Sequence, residues 1–211
     1  MPTNPIVFCD FDGTITAEET FVKLVKRFST QSHAALSAEV ANGVRTNAEA
    51  VRILVAGIPH AKQRALTDFI LAQPLRPGFA AFAETLHVRK IPLVIVSGGL
   101  RPLIEARLGQ YRQRIYAIHA AELSCLEGRL SVHSAFENNG EILCKRSVLQ
   151  SYDPKSWVVI GDGANDRAMV AGAETVFARD TLAEALAADG VAHLHFEDFF
   201  QVRNVLLRLR G

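Results

Sequence analysis

The sequence has little of several things that would place it in a common class. Cysteine is scarce: Cys9, Cys125 and Cys144 are odd in number, far apart and without a CxxC pair. That argues against a zinc site or a disulfide framework and fits a reducing cytoplasm, the expected location. Long apolar runs are missing, since none approaches the ~20 residues that span a bilayer. The opening MPTNPIVFCDFDG lacks the basic region of a secretory signal. Charge of one sign is missing too: 23 Lys and Arg face 22 Asp and Glu, a net charge of +1. With no basic surplus, neither nucleic acid nor a membrane surface is expected as a partner. Repeats and low-complexity tracts are absent. The 49% hydrophobic and 21% charged content excludes disorder, collagen and coiled coil, and 211 residues make one domain or two small ones.

What is present is an alternation. Short apolar, β-branched runs at Ile6 to Cys9, Leu93 to Val96, Ile115 to Ile118, Trp157 to Ile160 and Thr175 to Phe177 read as buried strands. Helical stretches lie between most of them. One opens at Pro77 and Gly78 and runs to Lys90; another opens at Pro102; a third begins over Asn165 to Ala171; a last covers Glu197 to Arg210. This order predicts an α/β fold with a parallel sheet covered by helices on both faces.

From about Ala17 to Leu75 no strand is readable. Phe21, Leu24, Val25 and Phe28 repeat at helical spacing, as do Val51, Leu54, Val55 and Ile58, and Leu66, Phe69 and Ile70 follow suit. Thr46 and Glu49 make a capping box, and Gly57 with Pro59 ends that helix. An all-helical insert is therefore expected at 17–75, between core segments 1–16 and 76–211. Glu127-Gly128 between alternating runs suggests a β-hairpin over Cys125 to Val132.

Ligands of open α/β sheets bind beyond the carboxyl ends of the strands, so those ends carry the functional signal. The first reads Asp10-Phe11-Asp12-Gly13-Thr14. Two carboxylates where a buried strand runs out repel each other unless a cation or proton intervenes. The second, Ser97-Gly98-Gly99 before a helix, offers a hydroxyl and free amides to an anion. A later end reads Gly161-Asp162-Gly163-Ala164-Asn165-Asp166. Asp162 and Asp166 suit a hard cation, and Mg²⁺ is typically held by one or two carboxylates together with substrate phosphate. Lys145 opens a helix between these ends. Each piece alone is more often an ordinary turn; their order on one sheet is what makes them specific.

That ordered set resembles the four motifs of the haloacid dehalogenase (HAD) superfamily. The resemblance implies a Rossmann-like core, and the position of the helical insert is where that superfamily places a C1 cap, as in its phosphoserine phosphatase group. It further implies Mg²⁺-dependent hydrolysis of a small phosphorylated metabolite through an aspartyl-phosphate. Asp10 would be the nucleophile and Asp12 the acid and base. The metal would be held by Asp10, the Asp12 main-chain carbonyl and Asp162, with Asp166 close behind. Ser97, Gly98, Lys145 and Asn165 would hold the phosphoryl oxygens. Asp12 argues against a dehalogenase, which carries tyrosine at that motif position; a phosphomutase shares these motifs and stays open.

Two subgroups compete for the substrate. The GDGAND run and Glu19, nine positions after Asp10, are similar to phosphoserine phosphatases, but the phenylalanine and arginine of their cap fall here on Asn47 and Leu54. The runs from Phe8 to Thr16 and Arg76 to Phe79, the Cys144-Lys145 pair, and the runs Phe177 to Asp180 and Glu197 to Phe200 resemble the methionine-salvage phosphatases. That subgroup acts on 2-hydroxy-3-keto-5-methylthiopentenyl-1-phosphate. Glu19 and Arg52 are the candidate substrate contacts in the cap. A non-catalytic phosphate-sensing protein on the same fold is the alternative of another class. His193 and His195 alternate as strand residues do, and without further ligands they are not expected to bind metal.

Overall fold

The computed structural model describes residues 4–126 and 128–209. Among the described residues seven strands form one sheet in the order β4-β3-β2-β1-β5-β6-β7. They are β1 (Ile6–Cys9), β2 (Leu93–Leu100), β3 (Ala117–Leu126), β4 (Arg129–His133), β5 (Trp157–Gly161), β6 (Thr175–Ala178) and β7 (Leu194–His195). Every pairing is parallel except β3 with β4. β1 lies at the centre, flanked by β2 and β5.

The strands read as unbroken apolar runs because both faces are covered. Val7 and Cys9 point into one buried cluster with Phe79, Phe82, Ile104 and Phe199. Phe8, Val94 and Val96 point into the other, with Val148, Met169 and Leu182. The covering helices are α5 (Phe79–Val88), α6 (Arg101–Leu108), α7 (Lys145–Tyr152), α8 (Asp180–Ala188) and α9 (Phe199–Arg208). Cys9 and Cys144 are buried in this interior, whereas Cys125 is exposed.

Between β1 and α5 the described chain is helical: α1 (Thr20–Phe28), α2 (His33–Ala41), α3 (Asn47–Ala56) and α4 (Gln63–Leu71). The capping box of α3 forms in both directions, Glu49 N–H to Thr46 Oγ1 at 3.2 Å and Thr46 N–H to Glu49 Oε2 at 2.9 Å. The segment leaves and rejoins the sheet side by side, through a bridge between Thr16 and Leu75. It also touches the sheet's far edge, through a bridge between Pro59 and Arg129, and the loop after β4, through a hydrogen bond from Ala48 N–H to Gly140 O of 2.8 Å. No described helix is long and apolar enough to cross a membrane.

Several elements differ from the sequence expectation. β2 runs on through Ser97-Gly98-Gly99 to Leu100. β3 starts at Ala117, after a 3-10 turn at 109–114, and continues to Leu126, so the expected hairpin forms between its far half and β4 and is longer than the sequence suggested. Its first half pairs with β2 and its second half with β4, and this pairing carries it through the Ala120-Ala121-Glu122 stretch. Glu127 of the expected hairpin signal and Arg210, the expected end of the last helix, lie outside the described residues. Residues 164–169 are a 3-10 turn rather than an α-helix.

Candidate active site

β1 delivers Asp10 to the middle of the sheet's carboxyl edge, where its amide donates to Ile160 O of β5 at 2.9 Å. The next loop turns at Gly13, whose φ of +79° only glycine adopts without strain. A Cβ there would stand 2.2 Å from Asp162 Oδ2, so the loop packs directly on the Asp162 carboxylate. Thr14 Oγ1 donates to Asp162 Oδ1 at 2.6 Å. Asp162 follows β5 and is nearly buried; Thr181 and Leu182 of α8 hold its main-chain oxygen at 3.1 and 2.8 Å.

Asp166 is fully buried. Its Oδ2 accepts from the amides of Asp162 and Gly163, at 3.1 and 2.9 Å, and its Oδ1 accepts from Lys145. Lys145, at the first turn of α7 and 1% exposed, places Nζ 2.5 Å from both Asp10 Oδ1 and Asp166 Oδ1. Oxygens of Asp10, Asp162 and Asp166 all lie within 4.8 Å of one another. Three carboxylates against one ammonium leave a net charge of about −2, which a divalent cation balances.

Protonation follows from this crowding. Burial raises the Asp10 carboxyl well above the usual range; Lys145 opposes that, and Asp166 and Asp162 reinforce it. Asp162 is pushed up to about 6, chiefly by burial. Burial works against the charge of Lys145, but Asp10 and Asp166 outweigh it and hold the ammonium above its ordinary value.

Asp12 faces another way. Its carboxylate accepts from the amide of Thr20 at 3.1 Å and from the Thr20 hydroxyl, at the start of α1. Burial raises its pKa, partly offset by those bonds. Ser97 is buried, with Oγ accepting from Gly99 N–H at 3.0 Å. At Gly98 nothing lies within 4 Å of an added Cβ, so the chain there is open to a ligand.

Asp10, Asp12, Ser97, Gly98, Asp162 and Asn165 line one cavity of about 250 Å³, together with Glu19, Phe21, Asn47 and Val51 of the helical segment and Glu141, Ile142 and Leu143 before α7. Lys145 and Asp166 sit beneath its lining. Glu19 is exposed overall, yet desolvation at the cavity, followed by the charges of Asp12 and Asp162, pushes its carboxyl up to about 7. Arg52 is not on the cavity wall; its guanidinium pairs with Glu137. His195 pairs with Glu197 at 2.7 Å, and His193 contacts Val191 O, with no third ligand among the described residues.

Sequence reasoning missed Thr20, Phe21, Val51 and the 141–143 wall. Thr20 carries no local signal, because only folding brings α1 onto Asp12. Arg76 was quoted only as part of a run; it is a buried charge hydrogen-bonded to the loop after Asp12.

Residues 7–171 match the family of haloacid dehalogenase-like hydrolases, and the chain belongs to that family. A protein of Microcystis aeruginosa (strain NIES-843 / IAM M-2473), named 2-hydroxy-3-keto-5-methylthiopentenyl-1-phosphate phosphatase, is 35% identical over 206 residues, 97% of this chain and 98% of its own. A protein of the same name from Brevibacillus brevis is 29% identical, covering 100% of this chain and 98% of its own. Among solved structures, a phospho-aspartyl intermediate analogue of phosphoserine phosphatase superposes with a TM-score of 0.68 at 19% identity, over 95% of this chain and 97% of that one, a likeness of fold.

Proposed function

We propose that the protein is a Mg²⁺-dependent phosphomonoesterase that hydrolyses 2-hydroxy-3-keto-5-methylthiopentenyl-1-phosphate through an aspartyl-phosphate on Asp10. Membership of the hydrolase family and the phosphatase names of its relatives support the reaction class. The observation that carries the substrate is the cavity itself. Its floor is polar, and its walls include Phe21, Val51, Ile142 and Leu143, which suit a methylthio tail. No described lysine or arginine lines it. The ammonium of phosphoserine could meet Glu19, but its carboxylate would face acids with no cation, a costly arrangement.

The metal fits the residues present. Asp10 and Asp162 supply hard oxygen donors, and the cluster carries the surplus negative charge that Mg²⁺ needs. When bound, Mg²⁺ neutralises charge on the phosphoryl group and so lets an anionic nucleophile approach it. Asp10 attacks phosphorus as the ester P–O bond breaks. Asp12, whose burial favours the protonated form, gives its proton to the departing oxygen. The resulting Asp12 carboxylate takes a proton from the water that attacks the aspartyl-phosphate, releasing inorganic phosphate and restoring Asp10. Ser97, the Gly98 amide and Asn165, which line the cavity, hold the phosphoryl oxygens, and Lys145 beneath them offsets their charge from its pairs with Asp10 and Asp166. The helical segment 17–75 acts as the cap that selects the substrate, and the core, 1–16 and 76–211, does the chemistry.

A panel of phosphate esters containing the methylthiopentenyl substrate, phosphoserine and p-nitrophenyl phosphate, assayed with Mg²⁺ and after exhaustive chelation, tests this. The methylthiopentenyl ester should be preferred, chelation should abolish turnover, and Asp10→Asn should lower kcat by at least about 10⁴-fold. A preference for phosphoserine would overturn the substrate. Full activity in Asp10→Asn would overturn Asp10 as the nucleophile, and a wild-type protein that turns over no ester in the panel would leave the non-catalytic alternative.

A further inference from the structure

Arg76 is 7% exposed and sits where the chain returns from the helical segment. Its hydrogen-bond partners are all main-chain carbonyls. Nε donates to Thr14 O at 2.8 Å, one terminal nitrogen donates to Gly13 O and to Thr16 O at 3.4 Å, and the other donates to Glu197 O at 3.3 Å. The Arg76 amide also donates to Ile15 O at 2.7 Å. A buried guanidinium with no carboxylate among its hydrogen-bond partners is a costly way to fill space. An apolar residue would serve packing better, so the four donors must be needed.

What they hold is the loop that follows Asp12. Thr14 in that loop gives its hydroxyl to Asp162 Oδ1. The main chain of Asp162 is fixed independently, from α8 and Asp166. Its side chain, by contrast, is set by Thr14 and by close packing on Gly13, where even a Cβ would not fit. Glu197 anchors the same guanidinium to the start of α9, and Phe199 N–H adds a bond to Pro77 O of 2.8 Å. The C-terminal segment, beyond the 7–171 family match, thereby braces the loop.

We propose that Arg76 is a positioning residue, which clamps the carbonyls of Gly13, Thr14 and Thr16 so that the Thr14 hydroxyl orients Asp162 for the cation. The inference rests on the reading of the carboxylate cluster as a Mg²⁺ site. It assigns Arg76 no contact with substrate.

Mg²⁺ titrated into the substrate-free protein, with melting temperature as the signal, separates positioning from mere support. Arg76→Lys keeps the charge but loses the fork, and Thr14→Val removes the hydroxyl link while leaving the clamp. Each should raise the Mg²⁺ midpoint by about tenfold or more. The double variant should be little worse than the weaker single, because both act on one relay. At saturating Mg²⁺ the KM for p-nitrophenyl phosphate should stay within about twofold, since no substrate contact is lost. A wild-type midpoint in Arg76→Lys, whatever its melting temperature, overturns the proposal, as do multiplying effects in the double variant. If Arg76→Lys does not fold, Thr14→Val decides: a wild-type midpoint there removes the link through which Arg76 acts. Wild-type protein that binds no Mg²⁺ would overturn the functional reading instead.

Discussion

The strand ends and the inserted helices contribute to one cavity in opposite ways. Asp10, Asp162, Asp166 and Lys145 are nearly or fully buried and hold one another by ion pairs and main-chain bonds. Glu19, Phe21, Asn47 and Val51 come from short helices with exposed outer faces and reach the cavity only because that segment folds over it. Fixed charge belongs to the rigid sheet, where low dielectric makes it strong. Shape belongs to a segment tethered at Thr16 and Leu75 and resting on Arg129 and Gly140. A fold built this way can change its substrate without disturbing its chemistry.

Substitution on each side should break that symmetry. Lys145→Met removes the cation between Asp10 and Asp166 and should cost about 10²–10³-fold in kcat for every substrate in the panel alike. A loss confined to one substrate would collapse the distinction. Val51→Ala trims the apolar wall and should lower kcat/KM for the methylthiopentenyl ester by about tenfold, leaving a tailless ester such as methyl phosphate within about twofold. Equal losses on both would place Val51 with the chemistry instead.

The smallest effect is a pH slope. Without metal, the folded Asp162 carboxyl holds its proton up to about 6, against an ordinary value of 3.8. Between those values the folded state binds more protons than the unfolded one, so the group's contribution to stability falls as pH rises from about 4 to about 6. Mg²⁺ held by this carboxylate would compete with that proton, so its stabilising shift should grow over the same window. Melting curves of wild type and Asp162→Asn, with and without Mg²⁺, read this directly. Asp162→Asn should make the decline shallower, leaving the part carried by Asp10, Asp12 and Glu19, and an identical slope in both would show that the carboxyl is not buried as described.

How much of this was legible depended on whether a residue's reason was local. β1, β5 and β6 declare themselves because strands covered on both faces need continuous apolar runs. The α3 capping box is written in two residues. β3 was only half readable, since Ala120-Ala121 has no β-branched side chain and depends on its neighbours for pairing. α2 buries little beyond Leu36, so periodicity had almost nothing to show. α8 opens on Asp180 with φ of +45°, a conformation no sequence pattern announces. In the site, Asp10, Asp162 and Asp166 were readable because acids are conspicuous at and just after strand ends, and Lys145, which opens α7, was readable only by its order among them. Thr20 and Arg76 were not, because their partners lie across a chain crossing that only the fold creates.

The three cysteines carry a practical consequence. Cys9 adjoins Asp10 in the chain, but it is fully buried, and burial together with the neighbouring acids pushes its thiol well above the usual value. Cys144 is buried beside Lys145. A thiol-directed dye added to the folded protein therefore finds Cys125 alone, on the outer reach of β3, and tags the molecule at one point without any engineered residue.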